Sequence, residues 1–290
     1  MKKLKDILVG FDFEVTQGDC DMPVKGLHFD SRLVTGGDVF FAIPGVLVDG
    51  HDYIQGAIDQ GCRCVILEKP GDYSQDDMTF VLVKDGSIAL AAMASAFFDH
   101  PSRKIDLVGI TGTNGKTTTA TLLHDLYSSI GHKCGLISTV TNKVGDRSIK
   151  STHTTPNPVS LNSLLNEMVN EGCTHCFMEV SSHAVVQNRI HGVQFKGGVF
   201  TNISHDHLDY HKTFDAYIKA KKKFFDDLSR DAFALVNIDD KNGSVMLQNT
   251  LAQKYNFALK TPADFKAKII ENDISGLILN MDGKEFYSRL

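Results

Sequence analysis

No apolar run in this chain approaches the length of a membrane span. Nor does the chain begin with a secretory h-region. Met1-Lys2-Lys3-Leu4-Lys5 starts like one, but Asp6, Asp12 and Glu14 interrupt any apolar continuation, so the expected location is the cytoplasm. A basic excess is also missing: the formal net charge is −5, the reverse of a general nucleic-acid footprint. The one lysine cluster, Lys219, Lys221, Lys222 and Lys223, is broken by Ala220 and followed by Phe224 and Phe225, and most of it reads as a solvated helix face. Cysteine is sparse and unpatterned. Cys173 and Cys176 form a lone C-x-x-C beside His175, with no second ligand pair at zinc spacing, so all six cysteines are expected to be thiols. Internal repeats and low-complexity segments are lacking too.

What remains is a chain of 290 residues with 42% hydrophobic content, too long for one average domain and too apolar for disorder. Two domains are expected, 1–100 and 101–290, divided at His100-Pro101-Ser102. The first holds short strand-like runs, Val39–Ile43, Cys64–Leu67 and Phe80–Val83, with helical stretches at Tyr53–Gln60 and Ile88–Phe98. In the second, strands at Ile105–Ile110, Cys134–Val140, Cys176–Val180, Gly198–Phe200 and Phe233–Ile238 alternate with helices at Lys116–Ile130, Ser160–Asn170 and Phe214–Leu228. Such alternation predicts an α/β fold with a mostly parallel sheet flanked by helices. A last strand-like run, Gly276–Leu279, precedes an ending without a covering helix, so either the sheet ends there or the second domain is incomplete at its C-terminus.

Between the strand Ile105–Ile110 and the helix from Lys116 lies Thr111-Gly112-Thr113-Asn114-Gly115-Lys116-Thr117-Thr118-Thr119. Strand, glycine turn, then lysine at a helix start is a polyphosphate-binding arrangement. Backbone N–H groups point into the turn and the helix N-terminus adds partial positive charge. Lys116 is placed to meet the β and γ phosphates of ATP, and Thr117 to offer its hydroxyl to magnesium. The strict G-x-x-x-x-G-K-[ST] spacing is missed, because Ile110 stands where the first glycine belongs. Tight turns alone would explain Gly112 and Gly115, but not a lysine and three threonines at the helix start.

His205-Asp206-His207-Leu208-Asp209-Tyr210-His211 nearly matches a binuclear metallohydrolase pattern, with one residue too many before His211. One magnesium ligand shared with ATP is the more economical reading; a polar capping loop is the plainer one. Glu179 ends a predicted buried strand, where open parallel sheets place their ligands, although a solvated strand end has the same signature. On the helix Phe214–Leu228, Phe214, Tyr217, Ile218, Lys221, Phe224, Phe225 and Leu228 recur at spacings of three and four, which puts Lys221 on the apolar stripe. A lysine there must snorkel, find an acid or lose its charge.

Several of these runs together resemble one family. Thr111–Thr119, Thr154-Thr155-Pro156, Met178-Glu179-Val180-Ser181-Ser182-His183, Gln187-Asn188-Arg189, Phe200-Thr201-Asn202 and Asp206–His211 are similar to the Mur ligases, which build the peptide stem of peptidoglycan. Asp30-Ser31-Arg32, Gly37–Gly45 and Asp49-Gly50-His51 resemble that family's uridine-nucleotide-binding domain. The match is nearest to the members that add the third residue, L-lysine or meso-diaminopimelate, to UDP-N-acetylmuramoyl-L-alanyl-D-glutamate.

The resemblance implies an ATP- and Mg2+-dependent acid–amino-acid ligase acting through an acyl phosphate. Its partners would be the UDP-muramoyl-dipeptide and a free amino acid, with no nucleic acid and no membrane. It implies an ATP site at Gly112, Thr113, Asn114, Gly115, Lys116, Thr117 and Thr118, with Asn237 near the adenine. Ser31, Val46, Leu47 and Val48 would meet the uridine nucleotide. Thr154, Thr155, Ser181, Gln187 and Arg189 would hold the muramoyl-dipeptide. Magnesium would fall to Thr117, Glu179, His207 and Lys221, the last as a carbamate, and Lys116, Lys221 and His207 would be catalytic. Family members carry a further C-terminal domain that closes over ATP and binds the amino acid. Its absence here implies that the 290 residues alone are inactive. Two alternatives are a folylpolyglutamate synthase-like ligase and a non-catalytic nucleotide-binding fragment.

Overall fold

The computed structural model describes residues 1–288 apart from 46–47, 72, 74, 205–207 and 275, and leaves the side chains of 208 and 209 undescribed. The chain forms two compact units.

The first unit takes Met1–Lys104 together with Pro156–Asn170 and Gln187–Val193. Contacts therefore do not follow a single cut at residue 100: the helix Pro158–Asn170, which sequence order assigns to the second domain, groups with the first unit. Among the described residues, this unit's main sheet runs in the order Phe13–Gln17, Thr79–Val83, Cys64–Leu67, Val39–Ala42, Leu27–His28. Its neighbours are parallel except for the edge strand Phe13–Gln17. Alternating side chains feed two cores, as strand geometry requires. Phe41, Cys64, Ile66 and Val81 pack with Ala89, Leu90 and Met93 of the helix Gly86–Phe97 on one side. Phe40, Val65, Leu67 and Phe80 pack with Ile54 and Ala57 of the helix Ile54–Asp59 on the other. The Asp85 carboxylate starts the helix Gly86–Phe97 by accepting from the amides of Ser87 and Ile88.

The second unit takes Ile105–Thr155, Glu171–Val186 and Gln194–Leu290. Its sheet runs Arg147–Lys150, Thr141–Val144, Cys134–Ile137, His175–Glu179, Asp106–Thr111, Gly197–Phe200, Phe233–Asn237, Gln253–Ala258, Phe265–Asp273, Gly276–Met281, Lys284–Ser288. From Cys134–Ile137 to Phe265–Asp273 every neighbour is parallel, and antiparallel hairpins extend both edges. The fold is thus α/β with a mostly parallel sheet. Strand order reverses at the central strand Asp106–Thr111. The next strands in sequence, Cys134–Ile137 and His175–Glu179, lie to one side of it, and Gly197–Phe200 and Phe233–Asn237 lie to the other. Ligands of such sheets bind at that switch point, beyond the C-terminal strand ends.

The expected strand Cys134–Val140 is shorter, ending at Ile137, because the chain turns where Ser138 Oγ donates to Thr141 O at 2.7 Å. The single run expected near Gly276 is one of three strands in a double hairpin whose outer members, Phe265–Asp273 and Lys284–Ser288, are mostly exposed.

Candidate active site at the switch point

The glycine loop leaves the central strand at Thr111, and its helix, Lys116–Ser129, begins directly after Gly115. Gly115 has φ +83°, and no atom lies within 4 Å of the place a Cβ would take, so glycine is needed there for the backbone conformation itself. Gly112 is needed for space: a Cβ would collide with Thr201 Oγ1. Lys116 Nζ folds back over the loop, donating to Gly112 O at 2.9 Å and Thr113 O at 2.8 Å.

Lys221 reaches the same carbonyl from the helix Phe214–Asp226, donating to Gly112 O at 2.9 Å. It is 1% exposed, and its ammonium lies 4.6 Å from the centroid of the Tyr217 ring. Lys221 thus lies on the apolar stripe as the spacing predicts, but it does not snorkel to water; a carbonyl and an aromatic face are among the groups that meet its charge. Lys222, expected with most of the cluster on a solvated face, is buried too. Its ammonium is paired with Asp226 at 2.6 and 2.7 Å, one helical turn on. Lys219 and Lys223 make the exposed pairs, with Asp215 and Asp227.

One strand away, Glu179 is fully buried at the end of His175–Glu179. It is not a solvated strand end. Oε1 accepts from the Thr117 hydroxyl at 2.8 Å and the Thr139 amide at 2.7 Å, and Oε2 lies 3.2 Å from the Thr139 hydroxyl. Thr139 Oγ1 is also 3.1 Å from Thr154 Oγ1. A hydroxyl chain thus joins Thr154 to Glu179 and on to the first turn of the phosphate-loop helix. Sequence reasoning misses Thr139, because only the turn after Cys134–Ile137 aims it at Glu179.

Thr155 is buried, donating to Glu179 O at 2.8 Å and accepting from the Ser181 amide at 3.1 Å. Ser181 Oγ accepts from Ala184 N at 3.2 Å, at the start of the helix Ser182–Val186. His211 is buried with its Nε2 2.9 Å from Ser182 Oγ, and its ring lies against those of His183, Tyr210 and Tyr217. Asn237 closes its strand, with Nδ2 donating to Thr201 O at 2.9 Å and Oδ1 accepting from Asp239 N at 3.0 Å. His207, Val46 and Leu47 lie outside the described residues.

In the first unit, Ser31 opens a short 3-10 turn that Asp30 caps, and the Arg32 guanidinium grips the Asp30 carboxylate at 2.9 and 2.7 Å. That fork holds the Asp30 carboxyl below its ordinary range. Val48 is exposed, and its carbonyl accepts from Gly45 N at 2.8 Å. Gln187 Oε1 receives both Nε and an Nη of Arg189, at 2.9 and 2.6 Å. The expected dipeptide-binding residues are thus divided: Gln187 and Arg189 belong to the first unit, and Thr154, Thr155 and Ser181 to the second.

The six cysteines are free thiols. Burial pushes Cys176 and Cys173 up from the ordinary thiol range, and Cys62 up to about 11. Among the described residues, no group of three or more His, Cys, Asp or Glu could hold a metal ion. Oxygen donors for magnesium do converge, however, where Thr117 meets Glu179. The carboxylate's roughly four acceptor positions exceed its three hydrogen bonds, and this hard-oxygen set suits that ion. No helix of the described residues is long and apolar enough to cross a membrane.

Comparison with known proteins agrees with this geometry. Residues 110–288 match the Mur ligase middle domain, and residues 23–98 the Mur ligase family catalytic domain. The UDP-N-acetylmuramoyl-L-alanyl-D-glutamate--2,6-diaminopimelate ligase of Cytophaga hutchinsonii is 52% identical over 99% of this chain. The chain spans about 60% of the length of the curated relatives it matches. A solved structure of a ligase with the same name aligns at a TM-score of 0.81 and 24% identity, over 99% of this chain and 59% of that one. The MurF ligase of Thermotoga maritima in complex with ADP aligns at 0.60 and 21% identity, over 91% of this chain and 57% of that one. With one domain profile covering more than half of its residues, the chain belongs to the Mur ligase family.

Proposed function

We propose that this chain carries the nucleotide site and the UDP-substrate site of a cytoplasmic, ATP-dependent ligase of cell-wall synthesis. The reaction is addition of a third amino acid to UDP-N-acetylmuramoyl-L-alanyl-D-glutamate. The name of the 52%-identical relative favours meso-diaminopimelate over L-lysine as that amino acid. Residues 1–100 are assigned to the UDP-muramoyl substrate and 101–290 to ATP. The same relative matches across both regions, which favours a muramoyl substrate over a folate.

One observation carries the nucleotide reading: Lys116 stands at the N-terminus of the helix Lys116–Ser129, directly after the glycine loop that leaves the central strand. A lysine ammonium and the positive end of a helix dipole that converge on one turn favour an anion there. A polyphosphate at the N-terminus of the helix Lys116–Ser129 supplies that charge. ATP, when bound, supplies a phosphoryl group that turns a carboxylate, a poor electrophile, into one an amine can attack. The chain's own residues cradle, orient and neutralise. Gly112, Thr113 and Asn114 shape the loop, Gly115 to Thr118 offer amides and hydroxyls at the helix start, Lys116 balances phosphate charge, and Asn237 flanks the adenine. Thr117 and Glu179 would hold magnesium, with His207 and a carbamate on Lys221 completing the set. Carbamylation replaces the positive charge of Lys221 with a negative one and makes it compatible with a cation. Ser31 and Val46–Val48 serve the uridine nucleotide, and Thr154, Thr155, Ser181, Gln187 and Arg189 the dipeptide. The Arg189 fork suits a carboxylate.

The test is calorimetry of ATP with the 290-residue chain, followed by a ligation assay on the chain extended to the length of its curated relatives. ATP should bind the shorter form, and only the extended form should turn over. In that extended form Lys221→Ala should abolish ligation, with partial rescue by short carboxylic acids. Full activity of Lys221→Ala without additive would remove the carbamate.

A further inference from the structure

The phosphate loop is not held by its own residues alone. Its two central residues are bound by a strap, Thr201–Ser204, that continues from the neighbouring strand Gly197–Phe200. Thr113 N donates to Asn202 O at 2.8 Å, and Asn114 N to Asn202 Oδ1 at 3.0 Å. In return Asn114 O accepts from Thr201 Oγ1 at 2.7 Å and Asn202 Nδ2 at 3.1 Å, while Ser204 N donates to Thr113 Oγ1 at 3.0 Å. The strap is anchored in turn from the far side. Asp240 Oδ2 accepts from Ile203 N at 2.8 Å, and its Oδ1 accepts from Asn242 N at 2.8 Å. Asn237 Nδ2 holds Thr201 O.

We propose that Asp240 is a positioning residue for the phosphate loop, acting through the strap to fix the amides of Thr113 and Asn114. Asp240 meets no loop atom itself. It lies on the segment following the strand Phe233–Asn237, and its carboxylate spans two main-chain amides, those of Ile203 and Asn242. A charge-assisted acceptor is the strongest tether available to a lone main-chain N–H. The strap residues between Asp240 and the loop then have both ends specified, and because the amides of Thr113 and Asn114 are spent on Asn202, this fixes the course of the turn that leads into the helix Lys116–Ser129. The adjacent Asp239 gives an internal contrast. Its carboxylate accepts from the amides of Leu259, Lys260 and Thr261, at 2.7, 3.0 and 2.9 Å, and so tethers a different loop.

Only the functional consequence of this inference rests on the nucleotide reading, so the primary test needs no nucleotide. Amide hydrogen exchange is compared in the ligand-free chain and in Asp240→Ala. Protection of Ile203, Thr113 and Asn114 should fall by about ten- to a hundredfold, the range set by losing a hydrogen bond to a charged acceptor. The amides of Leu136 and Phe177 in the sheet should keep theirs. Loss confined to Ile203, or spread equally over the sheet, would overturn the proposal. Should Asp240→Ala fail to fold, Asp240→Asn retains one acceptor and should give the same local pattern at smaller size. Asp239→Ala should expose residues 259–261 without touching Thr113 or Asn114; exposure of the latter pair would equally count against the assignment. Calorimetry then measures the consequence: ATP should bind Asp240→Ala about tenfold more weakly. If the unaltered chain binds no ATP, the nucleotide reading fails while the exchange result still decides the positioning role.

Discussion

The two ends of the parallel strands in the second unit are built of the same backbone and do opposite things. At the C-terminal end, polar side chains are engaged with main chain: Glu179 with Thr139 N, Lys116 and Lys221 with Gly112 O, Asn202 with the Asn114 amide. At the other end, rings pack on rings. Tyr127 lies against His132, His175 and Phe177, with centroids 5.6, 4.9 and 5.1 Å away, and the two histidines meet at 4.6 Å. Helix polarity accounts for the difference. Each crossover helix starts where a strand ends, so its unsatisfied N–H groups and positive dipole gather at the C-terminal edge. The opposite edge receives helix C-termini, which offer nothing to an anion. Stability should therefore be concentrated at one end and ligand affinity at the other.

The largest effect expected from breaking that contrast is on the packed end. Phe177→Ala should cost about 3–5 kcal/mol of stability, since the ring is only 2% exposed and its loss leaves a cavity. Denaturant midpoints would show it, and a cost below about 1 kcal/mol would mean the cluster is not structural. Next is Lys116→Ala, which should weaken ATP binding by about 1.5–3 kcal/mol through loss of a charge-assisted phosphate contact, with little change in unfolding. Unchanged affinity by calorimetry in a folded variant would remove Lys116 from the site. His132→Ala, at the far end, should leave that affinity alone.

Glu179→Ala sharpens the comparison, because it places a stability cost at the ligand end. Removing the buried acceptor strands the Thr139 amide, at about 1–3 kcal/mol. A neutral result in chemical denaturation would show that water replaces the carboxylate. The smallest effect is a pH response at the packed end. Burial, then the neighbouring His132, lowers His175 below the ordinary histidine value of 6.5. The folded state therefore resists protonation at a pH where the unfolded chain accepts it. This contribution to stability is complete above pH 6.5 and is lost as pH falls from there toward the depressed value. His175→Phe should flatten that part of the stability profile; an unchanged slope would assign it to another group.

Strands flanked by turn residues are readable without coordinates, and Cys64–Leu67 is found where its apolar run predicts. The strands Phe265–Asp273 and Lys284–Ser288 are not, since strands exposed on both faces lack the alternation that betrays a buried one; the hairpin Thr141–Lys150 is missed because its residues are mostly polar, although Asn142 and Val144 are buried. The loop Gly112–Thr117 is legible because its chemistry is contiguous. The strap is not: Asn114 and Asn202 are 88 positions apart, and Ile203 and Asp240 are 37.

Order along the chain by itself determined the α/β class, the placing of Lys116 at a helix start and the position of Lys221 on the apolar stripe, because each follows from local spacing and hydrophobic period. Only the tertiary structure decided how the buried charges are met. Glu179 finds Thr117 and Thr139, and Lys221 finds Gly112 O and the Tyr217 ring, through strands made neighbours by crossover connections. Hydrogen bonds act over about 3 Å whatever the sequence separation. The partners of a buried polar group are therefore chosen by the topology of the sheet and leave no pattern in the chain that encodes them.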